Sequence, residues 1–168
     1  MTEDRGRKTE SFASVVGHPS SVGVLMNIRP AVATDQKTIE RIIRDAGINP
    51  MSLDWHRFAI AEEDGEVVGI GQIKPHGDGS RELASIAVIP SRQRQGIGGE
   101  IIRALLAQER GTLYLTCREQ LESYYARFDF RRVTRDEMTP YFRRIIRMVN
   151  LFAPIMRGVR IIVMKRQP

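Results

Sequence analysis

The chain has 168 residues, 42% of them hydrophobic and 27% charged, with one cysteine, a formal net charge of +6 and a pI of ≈ 10.0. That length suits a single self-supporting domain, and the lone Cys117 excludes an internal disulfide. No apolar run approaches the roughly 18–20 residues that cross a bilayer, and the N-terminus lacks a signal-peptide core, so the expectation is a cytoplasmic protein without a membrane partner.

Residues 1–22 mix charges, Ser and Gly without periodicity and read as a flexible tail, with one domain over 23–168. Leu25 to Arg29 reads as a strand ended by Pro30. Thr34 is the expected N-cap of a helix reaching Ala46, with Ile39, Ile42 and Ile43 on its buried face and Gly47 as its stop. A short helical turn is expected over 50–53. Strands over Arg57–Glu62 and Val67–Lys74 flank Glu63-Asp64-Gly65-Glu66, a hairpin signal. Pro75 to Ser80 reads as a loop.

Glu82–Ile89 reads as a strand, Pro90–Gly96 as a turn and Ile97–Glu109 as a helix. A strand at Leu113–Cys117, a helix at Gln120–Phe128 and a strand at Phe130–Thr134 follow. Pro140, with Thr139 as N-cap, opens a basic amphipathic helix to Phe152, and Val159–Met164 is the last strand. Antiparallel strands followed by a strand-helix-strand unit imply an α/β or α+β single domain: a central mixed sheet flanked by helices, with an extra basic helix before the last strand.

Chemistry concentrates in Ser91-Arg-Gln-Arg-Gln-Gly-Ile-Gly-Gly99, between the strand ending at Ile89 and the helix from Ile97. A helix N-terminus leaves about four backbone N–H groups unpaired and carries partial positive charge, so it accepts a pyrophosphate when no side chain blocks the approach. Gly96 and Gly98 remove that block, and Arg92 and Arg94 add charge beside it. A P-loop is excluded because no Gly-Lys-Ser/Thr follows. A dinucleotide fingerprint is excluded because position 101 is Ile rather than Gly.

The run Gln93-Arg94-Gln95-Gly96-Ile97-Gly98 fits the pattern Gln/Arg-x-x-Gly-x-Gly/Ala. On these residues, with the apolar strand and Pro90 before them, the chain resembles the GNAT N-acetyltransferase superfamily, and its element order from Leu25 to Met164 resembles the whole superfamily domain. The resemblance implies acetyl-coenzyme A as cofactor, with the amides of Gln95, Gly96, Ile97, Gly98 and Gly99 on the pyrophosphate. Arg92, Gln93 and Arg94 would lie beside it. The strand around Ile86, Ala87 and Val88 would pair with the pantetheine arm and splay away from Leu113–Cys117. It also implies transfer to a primary amine, by direct attack in a ternary complex.

Amine attack on a thioester needs a proton removed from the acceptor and one supplied to the departing thiolate. Tyr125-Ala-Arg-Phe-Asp-Phe130 resembles the family pattern Tyr-x-x-x-Gly-Phe, which makes Tyr125 the general-acid candidate; Asp129 departs from the pattern, and Tyr124 is the alternative if Tyr125 is a core residue. Glu82 resembles the base position of some members; the plain alternative is a solvated glutamate at a strand end. Cys117 reads as a packed, inert thiol rather than a ping-pong nucleophile. His56 and His76 lack metal-ligand spacing, so no metal is expected.

Trp55, in Trp55-His56-Arg57-Phe58, is a candidate acceptor-pocket residue or else a strand start packed on the first helix. In the basic helix, Tyr141, Ile145, Met148 and Phe152 share one face and Arg143, Arg144 and Arg147 another. Arg143 and Arg147 are candidates for binding an acidic substrate such as an amino acid, a reading similar to the N-acetylglutamate synthase-like branch. The alternative is a packing or homodimer helix with a solvated basic face.

Charge is uneven: residues 1–80 hold 9 Lys+Arg against 12 Asp+Glu, and residues 81–168 hold 17 against 8. A basic half invites a nucleic-acid reading, but no helix-turn-helix or aromatic-basic interleave supports it. A domain that binds an acyl-coenzyme A without turning it over is the other alternative.

Overall fold

A computed structural model describes residues 26–152 and 160–168. The expected tail at 1–22 and the start of the last strand at 159 lie outside the described residues. Seven strands form one mixed sheet: β1 (Met26–Pro30), β2 (Phe58–Glu63), β3 (Glu66–Pro75), β4 (Arg81–Val88), β5 (Leu113–Arg118), β6 (Arg131–Arg132) and β7 (Ile161–Arg166). Their order across the sheet is β1-β2-β3-β4-β5-β7-β6. Among the described residues four α-helices flank it: α1 (Gln36–Asp45), α2 (Ile97–Ala107), α3 (Glu122–Ala126) and α4 (Pro140–Phe152).

The β2–β3 hairpin forms at Asp64-Gly65, both at positive φ (49° and 80°), which matches the right-handed twist of the flanking strands. The α1 entry differs from expectation. Thr34 lies inside a 3-10 turn over Ala33–Asp35, and Asp35 does the capping work, its carboxylate accepting the Val32 N–H at 2.8 Å. Arg29 on β1 grips that carboxylate at 2.7 Å and also Glu62 on β2, tying the helix start to the sheet edge. The helical turn expected over 50–53 falls later, at Trp55–Arg57, where the Asp54 carboxylate accepts the His56 N–H.

Alternation along the strands sorts the core into two faces. Leu83, Leu113, Leu115 and Cys117 pack with α2 and with Phe128 and Phe130 just after α3. On the other face Phe58, Ile60 and Ile70 pack with Ile39, Ile42 and Ile43 of α1, while Tyr114 and Val163 pack with Phe142 of α4. Helix α2 rests close on β3 because positions 69 and 71 are glycine: a Cβ on Gly71 would stand 2.5 Å from Ile86 Cδ1 and 2.7 Å from Ile101 Cγ2.

The α4 register is rotated from the sequence expectation. Phe142 is fully buried, with Ile145 and Ile146 half-buried, whereas Met148 is 52% exposed. Its cap is also different: the Tyr141 N–H is taken by Asp78 from the β3–β4 loop at 2.8 Å, and Thr139 contributes its backbone carbonyl to the Arg143 N–H. Strand β6 is shorter than the expected Phe130–Thr134: Arg131 and Arg132 pair with β7, and the Val133 N–H donates to the Val163 carbonyl at 3.1 Å just past its end.

Candidate active site

The turn between β4 and α2 presents bare backbone donors. Gln95, Gly96, Ile97 and Gly98 have amides with no hydrogen-bond acceptor among the described residues, whereas the Gly99 N–H, expected to be free, is held by the Gly96 carbonyl at 2.9 Å. Gly96 sits at φ 86°, a left-handed conformation that a side chain would strain. Above Gly98, an added Cβ would stand 3.3 Å from the Tyr124 hydroxyl, so a side chain there would fill the approach to the amides.

Free N–H groups at a helix N-terminus with an open approach fit a pyrophosphate. Arg94 makes no ion pair among the described residues and stands exposed beside them. Arg92 instead forms an ion pair with Glu63, Nε to Oε2 at 2.8 Å, and Gln93 donates its side-chain amide to the Val88 carbonyl at 3.0 Å, bracing the turn against the strand end.

Strands β4 and β5 are backbone-paired at one position, Glu82 with Tyr114, and separate beyond it. A bulge in β4 contributes to this. Gln72 faces Ala84 and Ile70 faces Ala87, so Gly71 alone opposes both Ser85 and Ile86, with Ser85 at φ 58°. A bulge bends its strand and increases the local twist. Gln72, fully buried, pins it by donating Nε2–H to the Ser85 hydroxyl at 2.9 Å, while no donor reaches its own amide oxygen. From Glu82 to Val88 the open edge of β4 runs about 20 Å at roughly 3.3 Å per residue, toward the bare amides.

Two of the sequence-derived catalytic candidates flank this gap on opposite faces of the sheet. Tyr125 packs on the α2 face, edge-on to Phe130 and to Tyr124, and burial pushes its phenol well above the ordinary tyrosine range, so it stays protonated at neutral pH. Asp129, where the resembled pattern has glycine, adopts the left-handed φ of 65°. Cys117 is buried with Sγ 3.9 Å from Met164 Sδ, and burial pushes its thiol up to about 11, which disfavours a thiolate nucleophile.

Glu82 lies on the other face and is 7% exposed. One carboxylate oxygen accepts the Thr116 hydroxyl at 2.9 Å, and the second accepts from His76 Nε2 at 2.9 Å. Neither partner is signalled by spacing. The sequence reading missed both, and a buried imidazole reaching back across a hairpin carries no motif.

The structure does not bring the three expected acceptor residues together. Half-buried Trp55 stacks on His56 at 3.5 Å, donates its backbone N–H to Gln36 Oε1 at 3.2 Å and packs with the α1 core. Arg143 donates to the carbonyls of Arg135 and Asp136, so its guanidinium serves the turn before α4. Arg147 is exposed on the next turn. Among the described residues no cluster of His, Cys and carboxylates could hold a metal, and no helix is long and apolar enough to cross a membrane.

The site is thus a mixed sheet opened between two parallel strands, with bare backbone amides at the open end and titratable groups on both faces. Residues 54–132, just under half of the chain, match the family model described as acetyltransferase (GNAT) domain. No curated protein sequence matches the chain.

Among solved structures, the fold is similar to N-acetylglutamate synthase from Neisseria gonorrhoeae complexed with coenzyme A and N-acetyl-glutamate (TM-score 0.68, 21% identity, 86% of this chain and 35% of that one). The chain thus spans about a third of that enzyme's length. It is also similar to a Mycobacterium tuberculosis protein in complex with CoA (TM-score 0.66, 21% identity, 84% and 99% covered). A third similar structure is the ribosomal-protein-S18-alanine N-acetyltransferase of Escherichia coli (TM-score 0.59, 20% identity, 85% and 94% covered).

Proposed function

We propose that the chain is an acetyl-coenzyme A-dependent N-acetyltransferase acting on the primary amine of a small molecule, with a free amino acid as the acceptor class. The observation that carries this reading is the bare run of amides at Gln95–Gly98 at the open end of the β4–β5 gap. Similar folds have been solved with coenzyme A, one with N-acetyl-glutamate and one with 2,4-diaminobutyric acid, which supports an amino-acid acceptor.

When bound, the cofactor supplies an activated acetyl thioester. The chain's residues hold and orient the partners and manage two protons. The amides of Gln95 to Gly98, with Arg94, grip the diphosphate, and the unpaired edge of β4 over Ile86–Val88 aligns the extended arm. Glu82 accepts a proton from the acceptor ammonium, breaking an N–H bond and forming Oε–H. With the thioester bound, the freed nitrogen lone pair would form an N–C bond to the acetyl group as the C–S bond breaks with its electrons on sulfur, and the nitrogen would then release its second proton to solvent, leaving a neutral amide. Tyr125, kept protonated by burial, gives its phenolic hydrogen to that sulfur, and solvent exchange restores both side chains. Holding both partners in one gap supplies much of the acceleration.

The test is thiol release from acetyl-coenzyme A over a panel of free amino acids, polyamines, aminoglycosides and peptide N-termini. Release with amino acids and not with the other amines is the expected result. Tight binding with no release for any amine would replace this reading with a non-catalytic acyl-coenzyme A binder.

A further inference from the structure

We propose that His76 is a positioning residue for Glu82, fixing its carboxylate at the closed end of the β4–β5 gap so that it faces the acceptor amine. The inference rests on the reading of Glu82 as the proton acceptor. His76 stands six residues before Glu82, in the β3–β4 loop, and its side chain is only 6% exposed. Since a carboxylate in this pairing can only accept, Nε2 carries the hydrogen and donates it at 2.9 Å.

The loop is built to hold the imidazole in place. The His76 N–H bonds the Ser80 carbonyl, the Gly79 N–H bonds the His76 carbonyl, and the Ser80 amide and hydroxyl both donate to Asp78 Oδ1. From the other side Tyr141 lies flat on the ring at 3.5 Å and 16°, and Phe142 meets it edge-on at 5.7 Å. Asp78 then ties the loop to α4 through the Tyr141 N–H. Loop and helix thus clamp one imidazole between them.

The consequence lies in the carboxylate. It has about four lone-pair directions; Thr116 on β5 takes one on Oε1 and His76 one on Oε2. Two ties on different oxygens fix both rotation and tilt, leaving the remaining directions aimed at a third partner. With Thr116 alone, the side chain pivots about a single contact. Misplacement of a reacting group by about 1 Å costs on the order of 10²-fold in rate.

Two substitutions separate positioning from packing. His76→Gln keeps an N–H donor near the Nε2 position but loses the ring. His76→Phe keeps a ring against Tyr141 but loses the donor. The expectation is that His76→Gln retains most of kcat, while His76→Phe lowers kcat about 10- to 100-fold with the KM for acetyl-coenzyme A unchanged. Thermal stability should rank the other way, with His76→Phe at or above His76→Gln. In a Glu82→Gln background, His76→Phe should cause no further loss.

If kcat follows stability, if both variants lose activity equally, or if the His76→Phe loss persists in the Glu82→Gln background, His76 only packs and the inference is overturned. Full turnover by Glu82→Gln alone would remove the base reading itself. Loss on Glu82→Gln with none on His76→Phe would remove only the role given to His76.

Discussion

Gly71→Ala tests how closely helix α2, and with it the bare amides at its start, depends on the sheet beneath it. The added Cβ would stand 2.5 Å from Ile86 Cδ1, 2.7 Å from Ile101 Cγ2 and 3.2 Å from Leu105 Cδ1. Carbon atoms rest at roughly 3.5–4.0 Å, so two branched side chains must each retreat by about 1 Å. Ile101 has nowhere to go, being fully buried among Ile97, Leu105 and the β-strand residues. Such overpacking costs about 1–3 kcal/mol, against which alanine in a strand recovers about 0.5–1 kcal/mol relative to glycine. With two contacts under 3.0 Å the upper part of the range applies, leaving a net loss of about 1–2 kcal/mol. At roughly 2–4 °C per kcal/mol for a chain of this size, Tm falls by about 2–8 °C.

Because the helix is the element displaced, the amides of Ile97 and Gly98 shift with it, and coenzyme A affinity falls alongside stability. Gly98→Glu should separate the two effects. Its Cβ meets only the Tyr124 hydroxyl at 3.3 Å and two methyls at 3.8 Å, so stability changes little while bulk and charge abolish coenzyme A binding. Thermal unfolding and titration calorimetry with coenzyme A measure the two effects. A Gly71→Ala protein with unchanged Tm and affinity would refute the idea that the glycines of β3 set the seat of α2.

The other predictions concern protons, a helix cap, a buried amide and a surface arginine. Tyr125→Phe should lower kcat by about 10²–10⁴-fold at unchanged coenzyme A affinity in calorimetry; full turnover would pass the acid role to Tyr124 or solvent. Burial pushes the Asp78 carboxyl up, but hydrogen bonds from the Ser80 hydroxyl and the Tyr141 and Ser80 amides outweigh it and hold the group below the usual aspartate range. Its contribution is therefore complete above the unfolded value of about 3.9 and is lost as pH falls below it toward the folded value. Asp78→Asn should remove that part of the acid-limb slope of Tm against pH, and an unchanged slope would refute it. Gln72→Met should leave Tm within a few degrees, since it removes an unsatisfied amide oxygen together with one hydrogen bond. It should also weaken coenzyme A binding by releasing the Ser85 bulge, and unchanged affinity in calorimetry would count against that role. Arg147→Ala should raise the KM for an acidic acceptor without moving Tm, whereas Arg143→Ala should lower Tm through the turn at Arg135–Asp136. No change in KM for any acceptor would end the clamp reading of Arg147.

Local chemistry settled much of this protein before any tertiary contact was known. The positive φ at Asp64-Gly65 and Gly96, the short apolar runs of β2–β5 and the free donors at the start of α2 are properties of a few adjacent residues, so they are written in Asp-Gly, in apolar runs bounded by turn residues and in Gln-x-x-Gly-x-Gly. Tyr125 stands out as a candidate for the same reason, since the run it opens, Tyr125–Phe130, is contiguous.

Pairings between distant segments were not reachable in that way. Asp78 caps a helix that starts at Pro140, and His76 turns back on Glu82 under the ring of Tyr141. Arg143 folds onto Arg135 and Asp136 instead of facing a substrate. The α4 register, too, was decided by Phe142 finding Tyr114 and His76, because an amphipathic helix with apolar residues at 141, 142, 145, 146 and 148 offers two nearly equal faces. Backbone preference acts over a few residues, whereas a hydrogen bond across 63 positions exists only after the sheet has brought its ends together.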